Sequence, residues 1–243
     1  VMQEYDPELD MLLFYLPIAG SAFKKVYYDQ GLSRAVSKFI APEDLVVPYE
    51  APDIISAERV THVISMSKNE IRKQQLAGFY ADVELRGDVH IKNRSDIEEE
   101  IDEIEGMEPS YAENRDRVVY EVHTILDLPG YEDIGQDGEP TGLKLPYIVT
   151  IDEGSQQVLA IRRNYIEQDP LKQKINYFVQ YKFLPGLGFY GLGLSHMIGG
   201  LSKASTSILR QLIDAGTIAN LPSGFKARGM RIRDEDEPLQ PGE

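Results

Sequence analysis

Along the first third of the chain the apolar positions change period twice. Leu9, Leu12, Leu13 and Leu16 recur at helical spacing, and Pro17 and Gly20 then interrupt them. Proline removes a backbone donor and crowds the preceding turn, so Tyr5 to Val26 reads as helix, break, strand. Phe23 to Asp29 and Ala35 to Val47 are β-rich stretches separated by Gln30 and Gly31, and Pro42, Pro48 and Pro52 punctuate the chain after short runs. Ser67 followed three residues later by Glu70 forms a capping-box pattern. It predicts a helix through Leu76 that stops near Gly78.

Further on, Ile97, Ile101 and Ile104 place one apolar stripe on a run, Ser95 to Glu108, that carries eight carboxylates, which predicts an acidic helix. Four later runs alternate as strands do: Val118 to Leu126, Leu145 to Ile151, Gln157 to Arg163 and Ile175 to Phe183. Asp152 to Ser155 has hairpin-turn chemistry, Gln136 to Gly138 marks a loop, and together these predict one small antiparallel sheet. After a glycine-rich stretch comes the longest element, a helix from about Leu194 to Ala215 with Gly216 as its stop. Its roughly 22 residues would span ~33 Å. Asn220 to Glu243, rich in Pro, Gly and alternating charge, reads as loop.

Composition narrows the class. Of 243 residues, 42% are hydrophobic and 27% charged, which fits a globular chain and neither a disordered polymer nor a membrane bundle. The longest apolar run, Met11 to Phe23, is shorter than the roughly 20 residues a spanning helix needs and is broken by Pro17 and Gly20. With no cysteine there is no disulfide framework, no thiolate catalysis and no Cys-ligated zinc, and the pattern fits a reducing compartment. The opening Val-Met-Gln and the closing Glu-Pro-Leu-Gln-Pro-Gly-Glu lead us to expect an internal fragment of a longer protein. The net charge of -15 is uneven: residues 1–150 hold 14 basic and 30 acidic side chains, residues 151–243 hold 11 and 10. A tight, unaided nucleic-acid binder depends on many phosphate contacts, so any DNA contact of this chain is expected to be weak or local.

The candidate chemistry is sparse. Gly186, Gly188 and Gly191 spell GxGxxG between a strand and a helix, with Asp214 further on. A dinucleotide site also needs a parallel return strand with the acid at its end, yet Asp214 falls in the helix and Thr217 to Gly224 is no apolar strand, so a structural turn is the favoured reading. His62, His90, His123 and His196 are scattered without zinc-site spacing, and no nucleophile elbow appears. No catalytic residue, metal ligand or cofactor is assigned. The carboxylates of 95–108 read as a solvated face that repels nucleic acid. The Asn93-Arg94-Ser95 sequon carries no weight without a signal peptide. The long helix is unusual in its small residues, Gly199, Gly200 and Ser202 among them. Two interior glycines cost roughly 1 kcal/mol each relative to alanine, which a close neighbour or a bend would explain.

Three stretches resemble the portal, or head-to-tail connector, proteins of tailed bacteriophages, in particular those of short-tailed phages. Pro17 to Asp29 (PIAGSAFKKVYYD) resembles their wing segment. Phe39 to Val47, then Ser56 to His62 and Met66 to Arg72, are similar to their proline, acidic, strand and capped-helix block. Phe183 to Gly191 (FLPGLGFYG), running into the helix through Asn220, resembles the segment that leaves the clip and enters a stem helix. Together they fall along the chain in the family's order and cover about a third of it.

The resemblance implies an α+β fragment with a wing-like portion (1–92), a clip-like portion with the acidic helix and small sheet (93–185), and a stem helix with its outgoing loop (186–243). It implies a structural virion protein and no enzyme: a ring, usually a homododecamer, at one capsid vertex, through which the terminase packages double-stranded DNA and from which the DNA is ejected. Terminase, tail adaptor proteins, capsid and scaffolding proteins are the implied partners, and the portal vertex, assembled in the host cytoplasm, is the implied location. On that resemblance Gly199, Gly200 and Ser202 would pack the stem helix. Lys203, Arg210, Lys226, Arg228, Arg231 and Arg233 would make weak phosphate contacts near the channel. The family's channel loop and crown are expected to lie outside this chain. Two alternatives are a nucleotide- or dinucleotide-binding enzyme using the Gly186, Gly188 and Gly191 turn, and a different virion or adaptor protein sharing the wing-like block.

Overall fold

A computed structural model describes residues 2, 4–29, 31–85, 116–134, 137 and 139–220. The acidic run 95–108, His90 and the basic cluster Lys226, Arg228, Arg231 and Arg233 lie outside the described residues. The chain is α+β. It divides into two compact units, residues 1–192 and 193–243.

The first unit starts with helix α1 (Tyr5–Ala19) and continues through β1 (Ser21–Asp29), β2 (Arg34–Ile40), a 3-10 turn (Pro42–Asp44) and the short β3 (Leu45–Val46). Then come β4 (Val60–Met66), α2 (Lys68–Leu76), β5 (Arg117–Leu126), β6 (Leu145–Asp152), β7 (Val158–Arg163) and β8 (Phe178–Lys182). Every strand pairing is antiparallel, in two sheets ordered β2-β1-β8 and β3-β4-β5-β6-β7. Helix α1 lies on β1 and β2, with Tyr15 against Phe39 and the Lys24 ammonium 4.7 Å above the Tyr5 ring.

Several local expectations hold. The Ser67 hydroxyl accepts from the Glu70 N–H at 3.2 Å and starts α2, while Gly78 takes φ +75 just beyond its end. Asp152 to Ser155 turns β6 into β7: the Asp152 carboxylate accepts from the Ser155 N–H at 2.8 Å and from its hydroxyl at 2.6 Å.

Others are corrected. Pro17 lies inside α1 and does not end it, so the expected break before β1 falls at Gly20 alone. The helix runs on to Ala19 and ends at Gly20, φ 83, whose N–H reaches the Leu16 carbonyl at 2.9 Å. The run Ile175 to Phe183 does not join the other three alternating runs in one sheet. Its strand β8 pairs with β1 instead, from Ser21↔Lys182 to Lys25↔Phe178, and buries Phe178 with Phe23, Ile54, Val60 and Phe189 in the largest core cluster. The sequence reading set a boundary between residues 92 and 93. Strand pairing crosses it twice, β4 with β5 over seven residues and β1 with β8, and the division between units falls at 192/193.

The second unit's described part is α3 (Leu194–Asn220), a 27-residue helix that spans about 40 Å at 1.5 Å per residue. The expected stop at Gly216 is overrun. Gly216 has no positive φ, and Thr217 stays helical with its hydroxyl bonded to the Ile213 carbonyl at 2.8 Å.

Candidate assembly helix and the charged seam

Helix α3 is built from two faces. Leu194, Met197, Ile198, Leu201, Ile208 and Leu212 fall at i, i+3, i+4, i+7, i+14 and i+18, which is one side of a 3.6-residue helix. His196, Lys203, Arg210 and Asp214, at i, i+7, i+14 and i+18, occupy the other. Every described side chain from Leu194 to Ala219 is exposed, Leu201 to 74% and Leu212 to 68%. At its N-terminus the His196 Nδ1 accepts from the Gly193 N–H at 3.1 Å, which satisfies one of the donors a helix start leaves free.

The structure brings Lys203 and Arg210 onto one face and shows both exposed. Gly199 and Gly200 lie on or beside that same polar side, whereas Ser202 falls between Leu209 and Ile213 at the edge of the apolar stripe. A Cβ added at Gly199 or Gly200 would meet nothing within 4 Å.

Two of the three GxGxxG glycines serve the chain's own backbone, and a Cβ on the third, Gly188, would meet nothing within 4 Å. A Cβ on Gly186 would lie 2.4 Å from the Tyr190 carbonyl oxygen, and one on Gly191 would lie 2.4 Å from that of Gly20 and 2.7 Å from that of Leu184. The Gly191 N–H donates to the Ser21 hydroxyl at 2.7 Å, and Phe189 stacks on Phe23. The preceding strand is antiparallel to its neighbour, whereas the dinucleotide fingerprint belongs to a parallel βαβ unit. Gly191→Ala is therefore expected to destabilise the first unit by about 1–3 kcal/mol, the usual cost of overpacking, as read by urea denaturation.

The sequence reading missed a group of charges between the two sheets. The Glu121 carboxylate on β5 takes the Lys25 ammonium from β1 at 2.6 Å and His123 Nε2 at 2.6 Å. Burial raises the carboxyl's pKa, but the His123 hydrogen bond and the Lys25 charge outweigh it and hold the group well below the usual carboxylate range. An ionised carboxylate only accepts, so His123 Nε2 carries the proton of that bond. His62, directly across from Glu121 on β4, is pushed down to about 4, first by burial and then by the Lys25 charge. It is neutral near pH 7. His123 stands edge-on to Phe178 at 4.8 Å, so the cluster borders the main core. One signal was available in the sequence: Glu121 and His123 lie two apart in an alternating run, hence on one face.

A second buried pair closes the β6–β7 end. Arg117 donates to Asp152 from Nε at 2.9 Å and from Nη2 at 2.6 Å, and the Asp152 side chain is fully buried. Burial raises Asp152, the Arg117 and Ser155 hydrogen bonds lower it further, and the net shift is downward.

Among the described residues no group of three or more His, Cys, Asp or Glu side chains is placed to hold a metal ion, and no helix is long and apolar enough to cross a membrane. No protein-family model and no curated protein matches the chain.

Proposed function

We propose that this chain is part of a ring-forming structural protein of the portal type, a conduit for double-stranded DNA at one vertex of a phage capsid, docking terminase and later tail adaptors. The observation that carries the reading is the two-faced α3. An apolar stripe along a 40 Å helix is a surface that calls for cover, and repeated copies of the chain supply it. A head-to-tail contact between identical subunits that closes on itself is a ring. The opposite face then carries the cations Lys203 and Arg210, with Asp214 one turn from Arg210, on a chain of net charge -15. Such a surface touches phosphates weakly and repels DNA elsewhere, which suits a polymer that must slide. The ordered resemblance of the three segments supports the same reading, and it assigns the chain no reaction and no cofactor.

The small residues take a different part from the one the resemblance suggested. The apolar stripe packs between subunits with Ser202 at its edge, and Gly199 and Gly200 leave the DNA side free of bulk. Leu201→Asp is expected to shift the assembled species to monomer in sedimentation velocity. Gly199→Ala with Gly200→Ala is expected to keep assembly and to stabilise α3 by up to about 1 kcal/mol at each position. Lys203→Glu with Arg210→Glu is expected to keep assembly and lower DNA retention. Monomer-forming alanine variants together with a silent Leu201→Asp would reverse the assignment of the two faces.

A further inference from the structure

Within the first unit a crevice opens where three segments meet: the loop carrying Ile54 and Glu58, the ends of β5 and β6 at Ile125 and Pro146, and the stretch 174–178 that leads into β8. Asn164, just past β7, lines it. Its backbone is satisfied on both sides: its N–H donates to the Pro146 carbonyl at 3.0 Å, and its carbonyl accepts from the Ile175 N–H at 3.0 Å. The side chain is different. Asn164 is 2% exposed, and its Oδ1 is buried without a hydrogen-bond partner. An unmet buried acceptor costs about as much as a lost hydrogen bond, so native structures rarely leave one.

Lys174 lines the same crevice. Its Nζ donates to the Ala57 carbonyl at 2.5 Å, and burial lowers its pKa, which marks a partly dehydrated ammonium with further donors to place. The cavity volume is about 20 Å³. That exceeds the roughly 10–15 Å³ one water needs on this measure, and a water also needs two to four polar partners.

We propose that this crevice is a binding site for one ordered water, which donates to Asn164 Oδ1 and accepts from Lys174 Nζ. The molecule is a component of the seam: it fastens the segment entering the three-stranded sheet to the ends of three strands of the five-stranded sheet. The proposal is independent of the ring reading, since it concerns the first unit alone.

Oxygen-17 relaxation dispersion on the full chain, with urea denaturation alongside, tests it. Asn164→Leu removes the acceptor and is expected to lower the dispersion amplitude by one long-lived water and to lower the urea midpoint. Asn164→Ser keeps a hydroxyl in a roomier site and is expected to retain the amplitude, which keeps the test open if the leucine variant fails to fold. Equal amplitudes in folded wild type and Asn164→Leu, a raised midpoint in Asn164→Leu, or loss of the amplitude in folded Asn164→Ser would overturn the proposal.

Discussion

Glu121→Ala is expected to lower the stability of the two-sheet unit by about 3–5 kcal/mol, because it strands Lys25 in the seam and takes the acceptor from His123 at the same time. Glu121→Gln keeps the shape and one acceptor oxygen, so its loss is expected to be smaller. The pH dependence has a definite sign. Glu121 titrates lower in the folded than in the unfolded chain, so its contribution is full above about pH 4.5 and fades as pH falls through the folded value. His62 has a folded pKa of about 4 against 6.5 when unfolded, so the unfolded chain takes up its proton first and stability declines as pH drops from about 6.5 toward 4. Urea midpoints measured from pH 7 to pH 4 should therefore fall steadily. His62→Phe should flatten the upper part of that fall, between pH 6.5 and 4.5. A stability flat over the whole range in the wild-type chain would contradict this account of the seam.

The second large effect is expected at the β6–β7 end. Asp152→Ala leaves the Arg117 guanidinium buried and unpaired and removes the acceptor of both Ser155 donors, its N–H and its hydroxyl, for a loss of about 3–5 kcal/mol by chemical denaturation. Ser155→Ala removes the hydroxyl bond alone and is expected to cost about 1 kcal/mol. A double-mutant cycle between Arg117 and Asp152 should show strong coupling, since the bidentate pair is reached by little solvent. Additive losses would show that the pair contributes no more than its separate packing.

What was legible in the sequence followed the range of the signal. The Ser67 cap, the Asp152 to Ser155 turn and the start of the long helix are local, each decided within four residues. Strand partners are not local. The alternation of Ile175 to Phe183 shows a strand but not that Phe178 belongs with Phe23, which is set by a contact across some 155 residues of chain. Pro17 and Gly216 were read as stops because proline and glycine usually are. Both lie inside the helices they were expected to stop, α1 running past Pro17 to Ala19 and α3 past Gly216 to Asn220. The charged seam stayed hidden because Lys25, Glu121 and His62 come from three separate strands, and only the fold brings them together.

The central claim is that copies of this chain close into a ring through the apolar face of α3. Native mass spectrometry of the chain at micromolar concentration, paired with negative-stain class averages, tests it most directly. The account predicts a single high-mass species of about twelve subunits, seen end-on as rings with a central hole. A monodisperse monomer, with the stripe of α3 exposed in solution, would contradict it.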